Sequence, residues 1–296
     1  MRIGVLILPE RRWSDQVAQW RAVEDLGFDS AWTYDHLWWR SLSESPWYGA
    51  VPVLSGAAVA TERVRLGLLV GSPNFRHPVP LAKDALTLDE MSDGRFTLGL
   101  GAGSPTAGDD AVLQPGVPAP GERADRFAEF VELTDLLLRE PVTTYRGEHY
   151  RAEGARMIPG CVQRPRLPFA IAATGRRGMD LAARYGQSWV TLGPAAPGGV
   201  SPGECLEQVV PAQVTALESA CARAGRDVGE RIFVTTPGTG DPLASWQACL
   251  DLAIGYAAAG ITHLVVHWPR ESGVYAGDVK VLSDISRHAL EEIHSL

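Results

Sequence analysis

Several things are scarce or missing in this chain of 296 residues, and each absence excludes something. Lysine occurs only at Lys83 and Lys280, and acidic residues outnumber basic ones 35 to 27, a formal charge of −8. A phosphate backbone needs a basic face, so this balance argues against a nucleic-acid partner. The four cysteines (Cys161, Cys205, Cys221, Cys249) show no CxxC spacing. They read as free thiols in a reducing compartment, small hydrophobes of the core, and not as a zinc site. No H-E-x-x-H or acidic cluster suggests a metal, and no G-x-S-x-G suggests a hydrolase. No run approaches the ~18 apolar residues of a membrane span. The opening Ile3-Gly4-Val5-Leu6-Ile7-Leu8 is too short for a signal peptide and lacks a cleavage site after it. The expectation is a soluble cytoplasmic protein.

What is present is a large apolar fraction, 45% against 21% charged, enough for a sizeable core. Short apolar runs alternate with amphipathic stretches. Strands are predicted at 3–8, 30–34, 64–70, 95–100, 169–173, 189–192, 232–235 and 261–266. Helices are predicted at 14–26 (capped by Ser14, stopped by Gly27), 51–60, 78–91, 121–139, 177–185, 204–224, 243–259 and 279–294. Residues 141–167 break the rhythm as a β-hairpin insertion, with Arg146-Gly147 at its turn. The Pro/Gly-rich stretch 194–203 reads as a mobile loop. Eight strand–helix units, with strands such as Val64-Arg65-Leu66-Gly67-Leu68-Leu69-Val70 nearly continuously apolar, predict one domain: a closed α/β barrel, the (β/α)₈ TIM barrel with insertions. No G-x-G-x-x-G follows the first strand, which counts against a dinucleotide fold.

In a barrel the chemistry sits where strands end. Asp35-His36 follows the second strand, then Leu37-Trp38-Trp39. A histidine there is a general base or donor near neutral pH, or a structural residue; Asp35 could orient its ring or bond a cofactor. Two consecutive tryptophans exceed packing needs, so one is expected to stack on a ring. Gly71-Ser72-Pro73-Asn74-Phe75-Arg76-His77-Pro78 follows the third strand, a rigid loop able to approach a planar ligand or to serve as a plain connection. Gly99, Gly101 and Gly103, before Ser104, let a ligand near the backbone of the fourth. Thr174-Gly175-Arg176-Arg177, running into a helix, is a candidate phosphate site, or a capped helix with solvated arginines. His267-Trp268-Pro269-Arg270 follows the eighth strand.

These strand ends, together with Leu26-Gly27-Phe28-Asp29-Ser30, Leu81-Ala82-Lys83, Leu88-Asp89-Glu90-Met91-Ser92-Asp93-Gly94-Arg95-Phe96, Leu98-Gly99-Leu100-Gly101-Ala102-Gly103 and Leu181-Ala182-Ala183-Arg184-Tyr185-Gly186, resemble the luciferase-like monooxygenase superfamily, over nearly the whole chain. That family uses reduced FMN or the deazaflavin F420, bound at the C-terminal mouth of the barrel. The resemblance implies a non-prolyl cis peptide backing the ring at Leu69-Val70, or slipped to Gly71, with Asp35, Ser72, Gly101, Gly103 and Ser104 lining the cofactor and its phosphate at Thr174-Gly175-Arg176-Arg177. It implies active-site roles for His36, Trp39 and His267, and a homodimer.

The sequence departs from the family's sugar-phosphate dehydrogenases. Ser104 stands where they carry an acid, and Lys83 and Lys280 do not fall where they hold sugar phosphate. Glucose 6-phosphate is therefore disfavoured. The stretch between the sixth and seventh barrel strands is trimmed, which opens the pocket. The tryptophans Trp38, Trp39, Trp47 and Trp268 suggest an apolar or aromatic substrate. Three functions are carried forward. The first is an F420-dependent oxidoreductase moving a hydride between the deazaflavin and a small organic substrate. The second is an FMNH₂-dependent monooxygenase in which O₂ adds at the flavin C4a. A separate reductase supplies the reduced cofactor. The third is a non-catalytic flavin-binding barrel, motivated by Ser104 and the trimmed loop.

Overall fold

The computed structural model describes residues 1–103, 109–113, 118–194 and 200–296. Its elements run β1 (Arg2–Leu6), α1 (Trp13–Asp25), β2 (Ser30–Thr33), α2 (Ala50–Ala60), β3 (Arg65–Gly71), α3 (Pro78–Met91), β4 (Phe96–Gly101), α4 (Asp109–Leu113) and α5 (Pro120–Arg139). A hairpin of β5 (Val142–Arg146) and β6 (Arg151–Arg156) follows, then β7 (Phe169–Ala172), α6 (Arg176–Tyr185), β8 (Ser188–Thr191), α7 (Pro202–Glu204), α8 (Val210–Ala224), β9 (Glu230–Val234), α9 (Trp246–Ala258), β10 (His263–His267), α10 (Lys280–His288) and α11 (Leu290–Ser295). Eight parallel strands close in the order β1-β10-β9-β8-β7-β4-β3-β2. This is the (β/α)₈ barrel, with the antiparallel hairpin β5-β6 standing apart from it.

The barrel strands are largely buried on both faces because helices cover the outside and side chains fill the inside. The filling is tight. A Cβ on Gly67 would collide with the Trp32 ring, and one on Gly4 with the Ser30 hydroxyl. His263, Val265 and His267 alternate on one face of β10, and all three are buried. Gly27, at φ +83°, ends α1 by taking the left-handed conformation that suits glycine.

Three local expectations are corrected. Ser14 does not cap α1: the helix begins at Trp13, the cap residue is Arg12 without a side-chain bond, and Ser14 Oγ donates to Asp15 Oδ1 at 3.3 Å. The second hairpin strand begins at Arg151 and not at His149. The Glu129 carboxylate accepts the N–H groups of Glu148, His149 and Tyr150 at 2.7–3.1 Å and holds those residues in the turn. The helix through 204–224 is entered by a wider π turn at Cys205–Val209. Pro211 lacks the N–H that would bond back to Glu207, so the regular ladder is interrupted there. α4 has no counterpart in the sequence reading. Of the loop at 194–203, residues 195–199 lie outside the described residues. Ser201 closes its far end with a capping box to Glu204. No helix among the described residues is long and apolar enough to cross a membrane.

Candidate active site

The site begins where β2 ends. His36 Nδ1 lies 2.6 Å from Asp109 Oδ2, and the Leu37 N–H donates to Asp109 Oδ1 at 2.8 Å. One carboxylate thus fixes both the ring and the backbone beside it. Because the carboxylate accepts, the proton of a neutral ring sits on Nδ1 and the Nε2 lone pair is left available. Trp39 packs 4.8 Å from both the His36 ring and the Tyr34 ring, and the Arg40 guanidinium covers it at 4.4 Å.

Asp35 does not orient the histidine. It is buried and held at 2.8 and 2.6 Å by Arg76 Nε and Nη2, a bidentate pair that ties the loop after β3 to the end of β2. The orienting acid is Asp109, which sequence reasoning missed. It stands in a stretch without periodicity, 73 positions away along the chain.

His267 ends β10 and is 1% exposed. Its Nε2 lies 3.0 Å from the Tyr34 hydroxyl, and the Tyr275 ring stacks flat on it at 3.5 Å and 6°. Its Nδ1 is buried without a partner among the described residues. Burial pulls its pKa down to about 3, so the ring is neutral at physiological pH. Burial, followed by the neighbouring Tyr275 hydroxyl, raises Tyr34 well above the usual phenol range. Tyr34 and Tyr275 were not anticipated; the only signal was that Tyr34 stands immediately before Asp35-His36. Tyr34 links the two predicted histidines, since its ring meets His267 and lies edge-on to His36 at 6.3 Å. A cavity of about 480 Å³ opens over His267 and Tyr275, between the loops after β9 and β10.

The Leu69-Val70 peptide is cis, as the resemblance implied, and pairing with β4 jumps there from Leu68 to Gly71. The glycines of β4 are explained by this bulge. A Cβ on Gly99 would strike the Leu68 carbonyl, and one on Gly101 would come within 2.6 Å of Val70 Cγ2. Gly103 has φ +79° and lies against Asn74. Ser72 is buried, and its carbonyl accepts from Phe75 and Arg76 N–H at 3.1 and 2.8 Å, which closes the turn after β3. Ser104 lies outside the described residues.

At the far side of the mouth Gly175 caps α6, and Thr174 through Arg177 are exposed. A Cβ on Gly175 would meet nothing within 4 Å. The two arginines differ. Arg177 pairs with Asp125 and reaches the Gly121 carbonyl at 3.4 Å, whereas Arg176 has no partner among the described residues. The same residues contain no group of three His, Cys, Asp or Glu placed to hold a metal.

Comparison with known proteins agrees with this architecture. The model of the luciferase-like monooxygenase family matches residues 1–231. An F420-dependent glucose-6-phosphate dehydrogenase of Microbacterium testaceum is 32% identical over 206 residues, 69% of this chain and 57% of that protein. A 4-hydroxyprotoasukamycin monooxygenase of Streptomyces nodosus subsp. asukaensis is 34% identical over 270 residues, 89% of this chain and 65% of that protein. This chain therefore spans only part of the length of both. Among solved structures, an F420-dependent secondary alcohol dehydrogenase in complex with an F420-acetone adduct shares the fold, with a TM-score of 0.80 at 19% identity over 99% of this chain and 98% of that one. The chain belongs to the luciferase-like monooxygenase family.

Proposed function

We propose that this protein is an F420-dependent oxidoreductase that moves a hydride between the deazaflavin and a small organic substrate. The residues present suit such a cofactor. The buried Nδ1 of His267 has no partner among the described residues, which leaves it a hydrogen bond to make in the mouth. The open Gly175 cap with Arg176, unpaired among the described residues, suits an anionic tail, because backbone N–H groups, the positive helix end and a guanidinium converge there. When bound, F420 supplies or accepts the hydride.

The observation that carries this reading is the His36–Asp109 pair. Oxidising an alcohol removes a hydride from carbon and a proton from oxygen, and the proton needs a base. His36 Nε2 takes it, Asp109 steadies the imidazolium that forms, and reduction runs through the same groups in reverse. Trp39 and Tyr34 shield the ring from water. In this reading Asp35 and Ser72 hold the wall of the cofactor site, with Leu69, Val70 and Gly71 behind the ring. The protein works in the cytoplasm as a homodimer, and in the direction of substrate reduction a separate reductase regenerates the reduced cofactor.

The test is His36→Ala, with turnover followed by F420 absorbance and binding by quenching of F420 fluorescence. Turnover is expected to fall about 10²–10³-fold while F420 affinity changes less than about threefold. An equal loss of both removes the proton role from His36. A second reading, an FMNH₂-dependent monooxygenase, is supported by the similarity to the 4-hydroxyprotoasukamycin monooxygenase over most of the chain. It predicts substrate oxygenation with FMNH₂ and O₂. Turnover with neither reduced cofactor would favour a non-catalytic barrel.

A further inference from the structure

We propose that Arg76 is a positioning residue of the reaction: it neutralises the buried Asp35 beside His36 and so keeps the histidine ring free to accept a proton near neutral pH. The inference rests on the proton role given to His36 above and names the residue that sets it.

Asp35 and His36 are consecutive at the end of β2. The Asp35 side chain is 0% exposed, and its only partner among the described residues is Arg76, whose Nε and Nη2 donate to its two oxygens at 2.8 and 2.6 Å. A carboxylate buried without a cation is strongly disfavoured, so Arg76 is what lets Asp35 stay ionised there. The guanidinium is placed by its own loop. The Ser72 carbonyl accepts the Arg76 N–H at 2.8 Å, which fixes the turn, and the Phe75 ring lies against the guanidinium at 4.4 Å. The planar fork meets both carboxylate oxygens at once, so neither is left to turn toward His36.

The charges around His36 give this pair its consequence. α4 brings Asp109, 2.6 Å from Nδ1, and the end of β2 brings Asp35. α3 brings Asp84, whose pKa is raised by burial. Arg76 lies within electrostatic reach of all three: burial works against its charge, and Asp35, Asp84 and Asp109 outweigh that and raise its pKa. The other cations nearby are engaged elsewhere. Arg40 lies on the Trp39 ring, Arg123 reaches the Gly103 carbonyl at 2.7 Å, and Arg126 reaches Asn74 Oδ1 at 2.5 Å. Tyr34 and Trp39, the aromatic neighbours of the His36 ring, carry no charge near neutral pH. A carboxylate beside an imidazole favours the imidazolium, and Asp109 already acts this way through its hydrogen bond. A second, unbalanced charge on Asp35 would place a proton on Nε2 and remove the base. Salt would screen that charge little, because Asp35 is buried.

The test follows the ring signals of the seven histidines by ¹H–¹³C NMR as pH is varied, in the protein without cofactor. The His36 signal is identified by its loss in His36→Ala. Arg76→Met should move the midpoint of that signal up by about one pH unit. Asp35→Asn, which leaves Arg76 unbalanced, should move it down by about half a unit or more. The double variant Arg76→Met with Asp35→Asn should return to within about 0.3 unit of wild type, because the two charges then vanish together. Arg76→Lys keeps the charge without the fork and should stay within about half a unit, which keeps the test open if the methionine variant misfolds. Shifts of opposite sign that cancel are a result that loosened structure alone would not give. Midpoints unchanged in both single variants, or moved the same way in both, would overturn the proposal. The predicted shifts together with full F420 turnover in His36→Ala would defeat the proton role of His36 alone.

Discussion

Two histidines of one strand show how differently the two ends of this barrel are built. His263 and His267 both point inward from β10, and both are 1% exposed. At the bottom, His263 has a partner on each nitrogen: Glu230 Oε1 at 3.1 Å and Ser30 Oγ at 2.8 Å. Glu230 also accepts from Arg2 at 2.7 Å and Ser188 at 2.8 Å, and the Trp32 indole donates to Ser30 at 2.7 Å. Burial works to raise Glu230, but His263, Arg65 and Ser188 outweigh it and hold the carboxyl well below its usual range. At the top, His267 has Tyr34 on one nitrogen and, among the described residues, nothing on the other. A satisfied polar cluster serves stability, and in the proposed function the unsatisfied buried nitrogen at the mouth is kept for a ligand.

The largest effect expected from this contrast is on stability at the bottom. Glu230→Ala leaves His263 and Arg2 without their carboxylate and should cost about 3–5 kcal/mol in denaturant unfolding. Turnover per folded molecule should stay within about twofold of wild type, because the cluster lies at the opposite end from the strand ends that carry the chemistry. A mild stability loss with a large activity loss would erase the division between the two ends.

The top should reveal itself through pH. His267 is neutral when folded down to about pH 3, whereas its unfolded pKa is 6.5. Between those values the unfolded chain binds a proton that the folded one refuses. Stability therefore falls as pH drops from 6.5 toward 3, by at most ~1.4 kcal/mol per unit from this group. His267→Gln should flatten that slope, read from urea midpoints at pH 7, 6 and 5. Glu230 acts lower: its depressed pKa contributes stability present above about pH 4.5 and lost as pH falls further. An unchanged slope between pH 6.5 and 5 in His267→Gln would contradict the buried, neutral assignment.

The smallest effect separates two adjacent arginines. Arg176→Ala should weaken F420 about tenfold, or ~1.4 kcal/mol. Arg177→Ala should weaken it no more than about threefold, because Arg177 is already spent on Asp125. Equal effects, measured by fluorescence titration, would mean that Arg177 leaves Asp125 for the ligand.

The barrel was legible because its strands are short and mostly apolar and alternate with longer helical stretches. Strand boundaries moved by only one or two residues, and α3 falls on 78–91 as read. The site was legible where chemistry and position coincide, as with His36 at one strand end and His267 at another. What stayed hidden depends on pairing across the chain. Asp109 reaches His36 from a short helix that no hydrophobic period announces. Asp35 looked like the partner because it is adjacent, yet strand-like geometry turns neighbouring side chains apart, and Arg76 claims it. Gly99 and Gly101 read as room for a ligand, and the structure shows that they first make room for the bulge of β3. Tyr275 joins the site through a loop whose path the sequence does not encode in any periodic signal.

The most direct test of the account is a fluorescence-quench titration of the purified protein with F420 and, separately, with FMN. The account predicts saturable F420 binding at least about a hundredfold tighter than FMN, a difference of ~2.7 kcal/mol. Tighter binding of FMN would contradict it and move the chemistry to oxygen.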